Sequence, residues 1–102
     1  TLKINQILSF LKYVYNNSAS LLINDIRYYY ISDNNPRLGF IVSRKYGNSV
    51  ERNLFKRRCR YAFYQLIKKG FPYSIIIKPK KQKINWSIIK TSFETVYEQI
   101  NN

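Results

Sequence analysis

The chain is organised around the stretch 47-GNSVERNLFKRRCRYAFYQLIKKG-70, which has the sequence signals of a helix at both of its ends. Asn48 is a favourable N-cap residue, and Glu51, three positions later, completes the pattern of a capping box. Lys68 and Lys69 place cations in the last turn, and Gly70 follows at the position where helices commonly end. The sequence therefore predicts a long central helix between Asn48 and Gly70.

Projected at about 100° per residue, this helix separates into an apolar and a cationic arc. The apolar arc predicts the buried side and consists of Phe55, Cys59, Ala62, Phe63 and Leu66. The cationic arc lies beside it and consists of Asn53, Lys56, Arg57, Arg60 and Tyr64, with Arg52 at its border. Glu51 and Arg58 lie away from the cationic arc. Because acidic residues are not interleaved with the cations, a lattice of i,i+4 ion pairs cannot form.

The regions on either side of the central helix contain periodic segments. Residues 2–15 and 85–100 predict helices, and residues 21–32, 37–43 and 71–78 predict strands. We expect residues 21–32 to form one strand, bent near Asn24 and Asp25. The order is then αββαβα. It predicts one α/β (α+β) domain over residues 1–102, a two-layer sandwich with helices packed on a small mixed sheet.

The two outer helices are each expected to bury one apolar stripe. In the first helix the stripe is Ile4, Ile7, Leu8, Leu11, Val14 and Tyr15. In the last helix it is Trp86, Ile89, Phe93, Val96 and Ile100. Such stripes are typical of helices that cover one face of a core.

The composition argues against catalysis by the chain itself. The 102 residues include 18 Lys plus Arg against 5 Asp plus Glu, a formal net charge of +13. They include no histidine and one cysteine, which excludes His-based acid–base catalysis, Ser-His or Cys-His pairs and internal disulfides. Five carboxylates are also a poor supply for a metal or glycosidase site. We therefore expect no catalytic and no metal-ligating residue.

The charge excess instead indicates a polyanionic partner. A solubilising face and a membrane-surface helix are the alternatives. A solubilising face normally includes acidic residues. A membrane-surface helix needs a free apolar face, and here the flanking strands are expected to cover that face. No apolar run approaches the roughly 20 residues of a membrane span, and a single cysteine fits a reducing compartment. We expect a cytoplasmic protein that binds nucleic acid.

Tyrosines could add stacking contacts to this binding. In 27-RYYYI-31, Tyr28 and Tyr30 share one face of the predicted strand and Tyr29 takes the other. Exposed aromatic rings stack on unpaired bases, a contact of about 1–3 kcal/mol each. The alternative is that these rings belong to the core.

The segment before the central helix also has the chemistry of a phosphate site. Ser43, Arg44, Lys45 and the backbone N–H groups after Gly47 lie at the positive end of the helix. The glycine pattern of a P-loop is absent.

Residues 37–60, RLGFIVSRKYGNSVERNLFKRRCR, resemble the signature of the bacterial ribonuclease P protein family. That signature is a strand, then S-x-K-x-G-N-[AS]-V, then R-N-x-x-K-R-x-x-R on the following helix. The matching positions are Ser43, Lys45, Gly47, Asn48, Ser49, Val50, Arg52, Asn53, Lys56, Arg57 and Arg60. The length, the charge and the strand YSIIIKP are similar too, so the resemblance covers nearly the whole chain.

The resemblance implies a protein subunit that supports removal of the 5′ leader from precursor tRNA, with the magnesium-dependent active site in a catalytic RNA. It implies contacts to that RNA from the face of Arg52, Asn53, Lys56, Arg57 and Arg60. We expect Ser43, Arg44, Lys45 and Asn48, at the positive end of the helix, to bind the same RNA. The resemblance also implies a leader-binding cleft between the first helix, the sheet and the central helix, with candidates Leu8, Lys12, Tyr28, Tyr30 and Tyr64. A left-handed β-α-β crossover is expected from the family, against the usual hand.

The expected partners are accordingly the ribonuclease P RNA and precursor tRNA, with no membrane and no required protein partner. No cofactor is expected on the protein alone, and Mg²⁺ belongs to the active site of the RNA.

The chain departs from the family in two respects. Leu54 stands where members often have a further basic residue, so one expected phosphate contact is missing. The phenylalanines that the family's first helix offers to the leader correspond here to Leu8 and Lys12, with Phe10 out of register. This departure gives Tyr28 and Tyr30 more weight as stacking candidates.

Three other functions remain open. They are a ribosomal or other structural RNA-binding protein, since the family's fold resembles a domain of a small-subunit ribosomal protein, a membrane-active cationic protein, and a nuclease that acts alone. The missing histidine argues against the nuclease.

Overall fold

A computed structural model describes residues 4–101, with side chains described for residues 5–100. Three helices and four strands follow in the order α1 (Ile4–Asn17), β1 (Ala19–Ile23), β2 (Ile26–Ser32), β3 (Leu38–Phe40), α2 (Ser49–Lys68), β4 (Tyr73–Pro79) and α3 (Trp86–Asn101). The α+β class is confirmed. None of the described helices has both the length and the apolar character that crossing a membrane requires.

The expected order αββαβα is one strand short, because residues 21–32 form a hairpin rather than one bent strand. Asn24 and Asp25 have φ values of 52° and 63°, and Ile23 pairs with Ile26 across the turn. Two successive residues with positive φ reverse the chain tightly, and Asn and Asp tolerate that conformation better than most residues. The observed order is αβββαβα.

The sheet has the strand order β1-β2-β4-β3. Strand β4 pairs antiparallel with β2 and parallel with β3. The chain passes from β3 to β4 through α2, so this is the β-α-β unit expected to be left-handed; its hand stays a prediction. Strand β4 is central, and Ile75, Ile76 and Ile77 are fully buried in succession. A strand that is buried on both faces needs such a run of apolar residues.

Helices cover both faces of the sheet, which corrects the expected two layers to three. Ile75 and Ile77 face a core formed with α2 and α3, whereas Ile76 faces Phe10 and Val14 of α1. The apolar arc of α2 is confirmed, since its five residues are the buried ones of that helix. In α3, Ile89, Phe93 and Val96 are buried, and Trp86 and Ile100 pack partly buried against them.

The apolar stripe expected for α1 is confirmed at Leu11 and Val14 and is wrong at Leu8 and Tyr15. Phe10 and Val14 are buried, but Leu8 and Tyr15 are more than half exposed. Apolar residues lie on most sides of this helix, so periodicity alone does not select the buried side. The sheet selects it at Gly39, where a Cβ atom would come 2.7 Å from Cδ2 of Leu11. The side chain of Ile4 lies outside the described residues.

A candidate nucleic-acid interface

The N-terminus of α2 is fixed by a complete capping box. The Asn48 side chain accepts a hydrogen bond from the Glu51 backbone N–H at 2.8 Å, and Glu51 Oε1 accepts one from the Asn48 backbone N–H at 3.0 Å. A Cβ atom at Gly47 would lie 2.8 Å from Glu51 Oε1, so a larger residue here would push the Glu51 side chain out of its capping position. The capping bond uses the Asn48 side-chain oxygen, so the amide NH₂ of this exposed residue is not needed for the cap.

The loop before this cap is anchored by Tyr46. Its ring is buried 5.0 Å from the ring of Phe55, and its hydroxyl accepts a hydrogen bond from the Ile84 backbone N–H at 3.3 Å. Burial raises the pKa of the Tyr46 hydroxyl, which keeps it protonated. On either side of Tyr46, four residues predicted to contact RNA are exposed: Ser43, Arg44, Lys45 and Asn48. A buried ring thus holds a segment whose polar side chains remain accessible.

The cationic arc of α2 faces solvent and has no acidic partners. Asn53, Arg57, Arg60 and Tyr64 are exposed, and Arg52 and Lys56 are partly exposed. Among the described residues, the ion pairs are Arg37–Asp33 and Lys81–Asp25, both outside α2. The positive charge of the arc is therefore not neutralised within the described part of the chain.

A groove with a volume of about 560 Å³ lies between α1 and α2 and crosses β3. Its lining combines apolar side chains with cations and includes Ile7, Leu11, Phe40, Arg37, Lys56 and Arg60. The Arg60 guanidinium lies 5.5 Å from the centre of the Phe40 ring, and Arg37 lies 4.2 Å from that of Phe10. The groove occupies the place expected for a leader-binding cleft, and two members of the cationic arc form its wall.

The residues proposed for that cleft do not converge on it. Tyr28 is fully buried with its ring 5.4 Å from Phe93 of α3, and burial strongly raises the pKa of its hydroxyl. Tyr30 is partly buried on the same face, edge-on to Tyr73 at 5.8 Å. This face lies opposite α1, because even-numbered residues of β2 point toward α2 and α3. Assigning Tyr28 to the cleft is therefore wrong, and Tyr30 lies on the side away from it.

The other three candidates are accessible but scattered. Leu8 and Lys12 are exposed on α1, and Tyr64 is exposed on α2 with Lys68 Nζ 4.8 Å from its ring centre. None of them lines the groove.

Sequence reasoning missed the actual lining residues Ile7, Leu11 and Arg37. The signal was present at Gly39, since a glycine within a strand indicates the close approach of another element. It also missed a second cationic surface, where Ser43 and Lys45 meet Lys78, Lys80 and Lys81 around a groove of about 620 Å³. The basic loop of residues 78–83 is evident in the sequence, but its position beside Ser43 and Lys45 is not.

The groups that this surface exposes are suited to binding a polyanion. Within residues 4–101, no three His, Cys, Asp or Glu side chains come together in a way that could hold a metal ion. Cys59 is fully buried, and burial raises the pKa of its thiol far above the usual range, so it is not an activated nucleophile. What the surface offers are cations, exposed amide groups and aromatic rings.

Comparison with known sequences identifies a family. A family model described as ribonuclease P matches residues 4–101. The ribonuclease P protein component of Finegoldia magna is 31% identical over 94 residues, which cover 89% of this chain and 78% of the relative. That of Mesomycoplasma hyopneumoniae (strain 7448) is 28% identical over 90 residues, which cover 85% of this chain and 76% of the relative.

Solved structures of similar proteins share the fold. The ribonuclease P protein of Staphylococcus aureus superimposes with a TM-score of 0.74 at 25% identity, covering 97% of this chain and 93% of that one. The ribonuclease P protein of Thermotoga maritima also gives a TM-score of 0.74, at 20% identity, covering 99% of this chain and 97% of that one. At such identity the second comparison bears on the fold alone.

Proposed function

The chain belongs to the ribonuclease P protein family, and we propose that it binds the catalytic RNA of ribonuclease P and the 5′ leader of precursor tRNA. In this proposal the chain is the non-catalytic subunit of an endoribonuclease that forms the mature tRNA 5′ end. It acts in the cytoplasm and needs no membrane and no protein partner. The observation that supports it most is the cationic arc of α2, which faces solvent and forms no ion pair within the described residues.

The catalytic RNA would contact the exposed cations and amides on and before α2. Arg52, Arg57 and Arg60 present forked donors suited to phosphate oxygens, and Lys56 adds a point charge. Ser43, Arg44, Lys45, Asn48 and Asn53 extend the surface toward the helix N-terminus, where the helix dipole also favours phosphate. Each neutralised phosphate releases counterions, so this binding should depend strongly on salt.

The 5′ leader would lie in the groove between α1 and α2. The apolar wall of Ile7, Leu11 and Phe40 suits the faces of unpaired bases, while Arg37, Lys56 and Arg60 suit the connecting phosphates. Since Lys56 and Arg60 belong to both surfaces, the leader would be held next to the catalytic RNA.

The chemistry is assigned to the RNA. The chain has no histidine, and the described residues hold no cluster of metal ligands, so this proposal assigns the Mg²⁺ ions of the reaction to the RNA subunit. The protein would contribute by neutralising phosphates, which lowers the concentration of magnesium that the RNA needs.

Reconstitution tests this proposal. The chain alone should not cleave precursor tRNA at low magnesium, and it should restore cleavage when mixed with the catalytic RNA. A Lys56→Ala, Arg60→Ala double variant should lose leader affinity, measured by comparing precursor tRNA with mature tRNA. Lys69→Ala is the control, since it removes a cation beyond the last turn of α2.

Two results would contradict the proposal. Cleavage at the mature 5′ end by the RNA-free chain would place the chemistry in the protein. Binding to RNA without any change in leader affinity or magnesium requirement would favour a structural RNA-binding protein instead.

A further inference from the structure

A further groove, with a volume of about 660 Å³, lies between α2 and α3, on the opposite flank of α2 from the groove between α1 and α2. Its lining consists of Arg57, Arg58, Tyr61, Gln65, Trp86 and Lys90. The volume is within the roughly 300–1,000 Å³ of small-molecule sites. Arg58, Tyr61 and Trp86 belong neither to the cationic arc nor to the groove between α1 and α2.

The aromatic part of this groove is accessible. The Tyr61 side chain is 58% exposed, and its ring lies 5.6 Å from that of Trp86 at an interplanar angle of 66°. Trp86 is partly buried and packs against the core, so it is held in place. Tyr61 contributes little to that core. Because the rings meet edge to face rather than stacked, only one face of one ring is covered by the other ring, and the remaining faces are not covered by this contact.

The polar part of the groove is cationic. Arg57, Arg58 and Lys90 surround the rings, no carboxylate is among the lining residues, and none of these cations forms an ion pair within the described chain. Gln65 adds an amide that can pair with a base edge. Cations next to accessible aromatic faces match a single-stranded nucleic acid, whose bases stack and whose phosphates attract charge.

We propose that the groove between α2 and α3 binds an unpaired nucleotide of an RNA. The base stacks against Tyr61 and Trp86, and the flanking phosphates contact Arg57, Arg58 and Lys90. This inference rests on the proposed function, because Arg57 belongs both to the cationic arc and to the lining of this groove, so an RNA on the arc would reach it. It adds a contact on the α3 side of the helix, away from the leader groove.

Trp86 makes the test direct, because it is the only tryptophan of the chain. A single-stranded oligoadenylate of roughly eight nucleotides is titrated into the full chain while Trp86 fluorescence is followed. We expect saturable quenching, and less of it with duplex RNA of the same length, whose bases are already stacked. Tyr61→Ala should weaken binding by about fivefold or more, whereas Tyr61→Phe should restore it.

Tyr13→Ala is the matched control, since Tyr13 is 56% exposed on α1, away from both grooves' cations on α2. Thermal unfolding checks that each variant is folded, and Arg58→Gln tests the charge without removing a ring. The proposed binding site would be overturned if wild type, Tyr61→Ala and Arg58→Gln bound oligoadenylate with equal affinity. It would also be overturned if duplex RNA quenched Trp86 as much as oligoadenylate does.

The groove and the proposed function can fail separately. If the chain lowers the magnesium requirement of the catalytic RNA but Trp86 fluorescence is unchanged by oligoadenylate, the groove is wrong and the function stands. If Tyr61-dependent quenching occurs without any effect on cleavage, the groove binds RNA and the function is wrong.

Discussion

Asp33 connects the β2–β3 turn to the central strand through hydrogen bonds. Its Oδ2 accepts a bond of 2.6 Å from the hydroxyl of the buried Ser74, and its Oδ1 accepts one of 3.0 Å from the Asn35 backbone N–H. The Ser74 hydroxyl in turn accepts from the Arg37 backbone N–H at 2.9 Å. The bond from Ser74, then that from Asn35, together with nearby Arg37, hold the pKa of Asp33 below its usual value.

A lowered pKa makes a prediction about acid stability. The contribution of Asp33 is complete above its unfolded pKa of 3.8 and is lost as the pH falls through the lower folded value. Asp33→Asn should therefore cost about 1 kcal/mol at pH 7, since a charged acceptor becomes neutral. Measured by thermal unfolding, the difference from wild type should shrink below pH 3.8.

Asp25→Asn provides the control for this measurement. It also removes one carboxylate, but from an exposed ion pair with Lys81 at 3.4 Å, which contributes little. A difference for Asp33→Asn that stays constant from neutral to acid pH would contradict the role given to its charge.

At the level of the elements, the capping box should stabilise α2 and position its cationic arc. Asn48→Ala removes the acceptor for the Glu51 N–H and should cost about 1 kcal/mol of unfolding free energy. Asn48→Asp keeps an oxygen acceptor, so it should fold as stably as wild type. It should nevertheless weaken RNA binding, because it adds a negative charge to the proposed interface.

Denaturant unfolding and RNA titration of both variants separate the two roles. If Asn48→Ala is as stable as wild type, the cap does not contribute. If Asn48→Asp binds RNA as tightly as wild type, Asn48 lies outside the interface.

The elements also differ in how far sequence predicts them. Helix α2 was predicted at both ends because its signals are local: Asn48 and Glu51 bond to each other, and Gly70 adopts a φ of 83°. The Gly70 and Phe71 N–H groups then bond to carbonyls of the last turn at 2.9 and 3.2 Å. The β1–β2 hairpin was missed because its turn is Asn-Asp, without the glycine that usually marks a two-residue reversal.

For the whole molecule, Cys59 reports on the core beneath α2. It is the only cysteine, its side chain is fully buried, and burial raises the pKa of its thiol. Since the thiolate is the reactive species, an aromatic disulfide reagent at neutral pH should label it at least about a thousandfold more slowly than an open chain. Gln99 is exposed on α3, so the thiol of Gln99→Cys in a Cys59→Ala background should react as fast as that of an open chain. Equal rates at the two positions would show that the core opens without unfolding.

The site was predictable only in part, for a reason that lies in the whole fold. The cationic arc follows from the period of one helix, so Lys56, Arg57 and Arg60 were assigned to the exposed side correctly. The groove depends on where α1 and α2 lie across β3, which no local pattern encodes. Tyr28 illustrates the limit: its alternation with Tyr29 was read correctly, but the face covered by α3 is set by tertiary packing.

The central claim is that the cations of α2 neutralise RNA phosphates, and the salt dependence of binding tests it most directly. The affinity for the catalytic RNA is measured over a range of salt concentrations for wild type, Arg52→Ala, Arg60→Ala and the control Lys69→Ala. Each arginine variant should bind more weakly, and the slope of log K against log salt should flatten by about 0.7–0.9 per arginine. Lys69→Ala should leave the slope close to that of wild type. Slopes that are unchanged in both arginine variants would contradict the claim and make the arc an ordinary solvated surface.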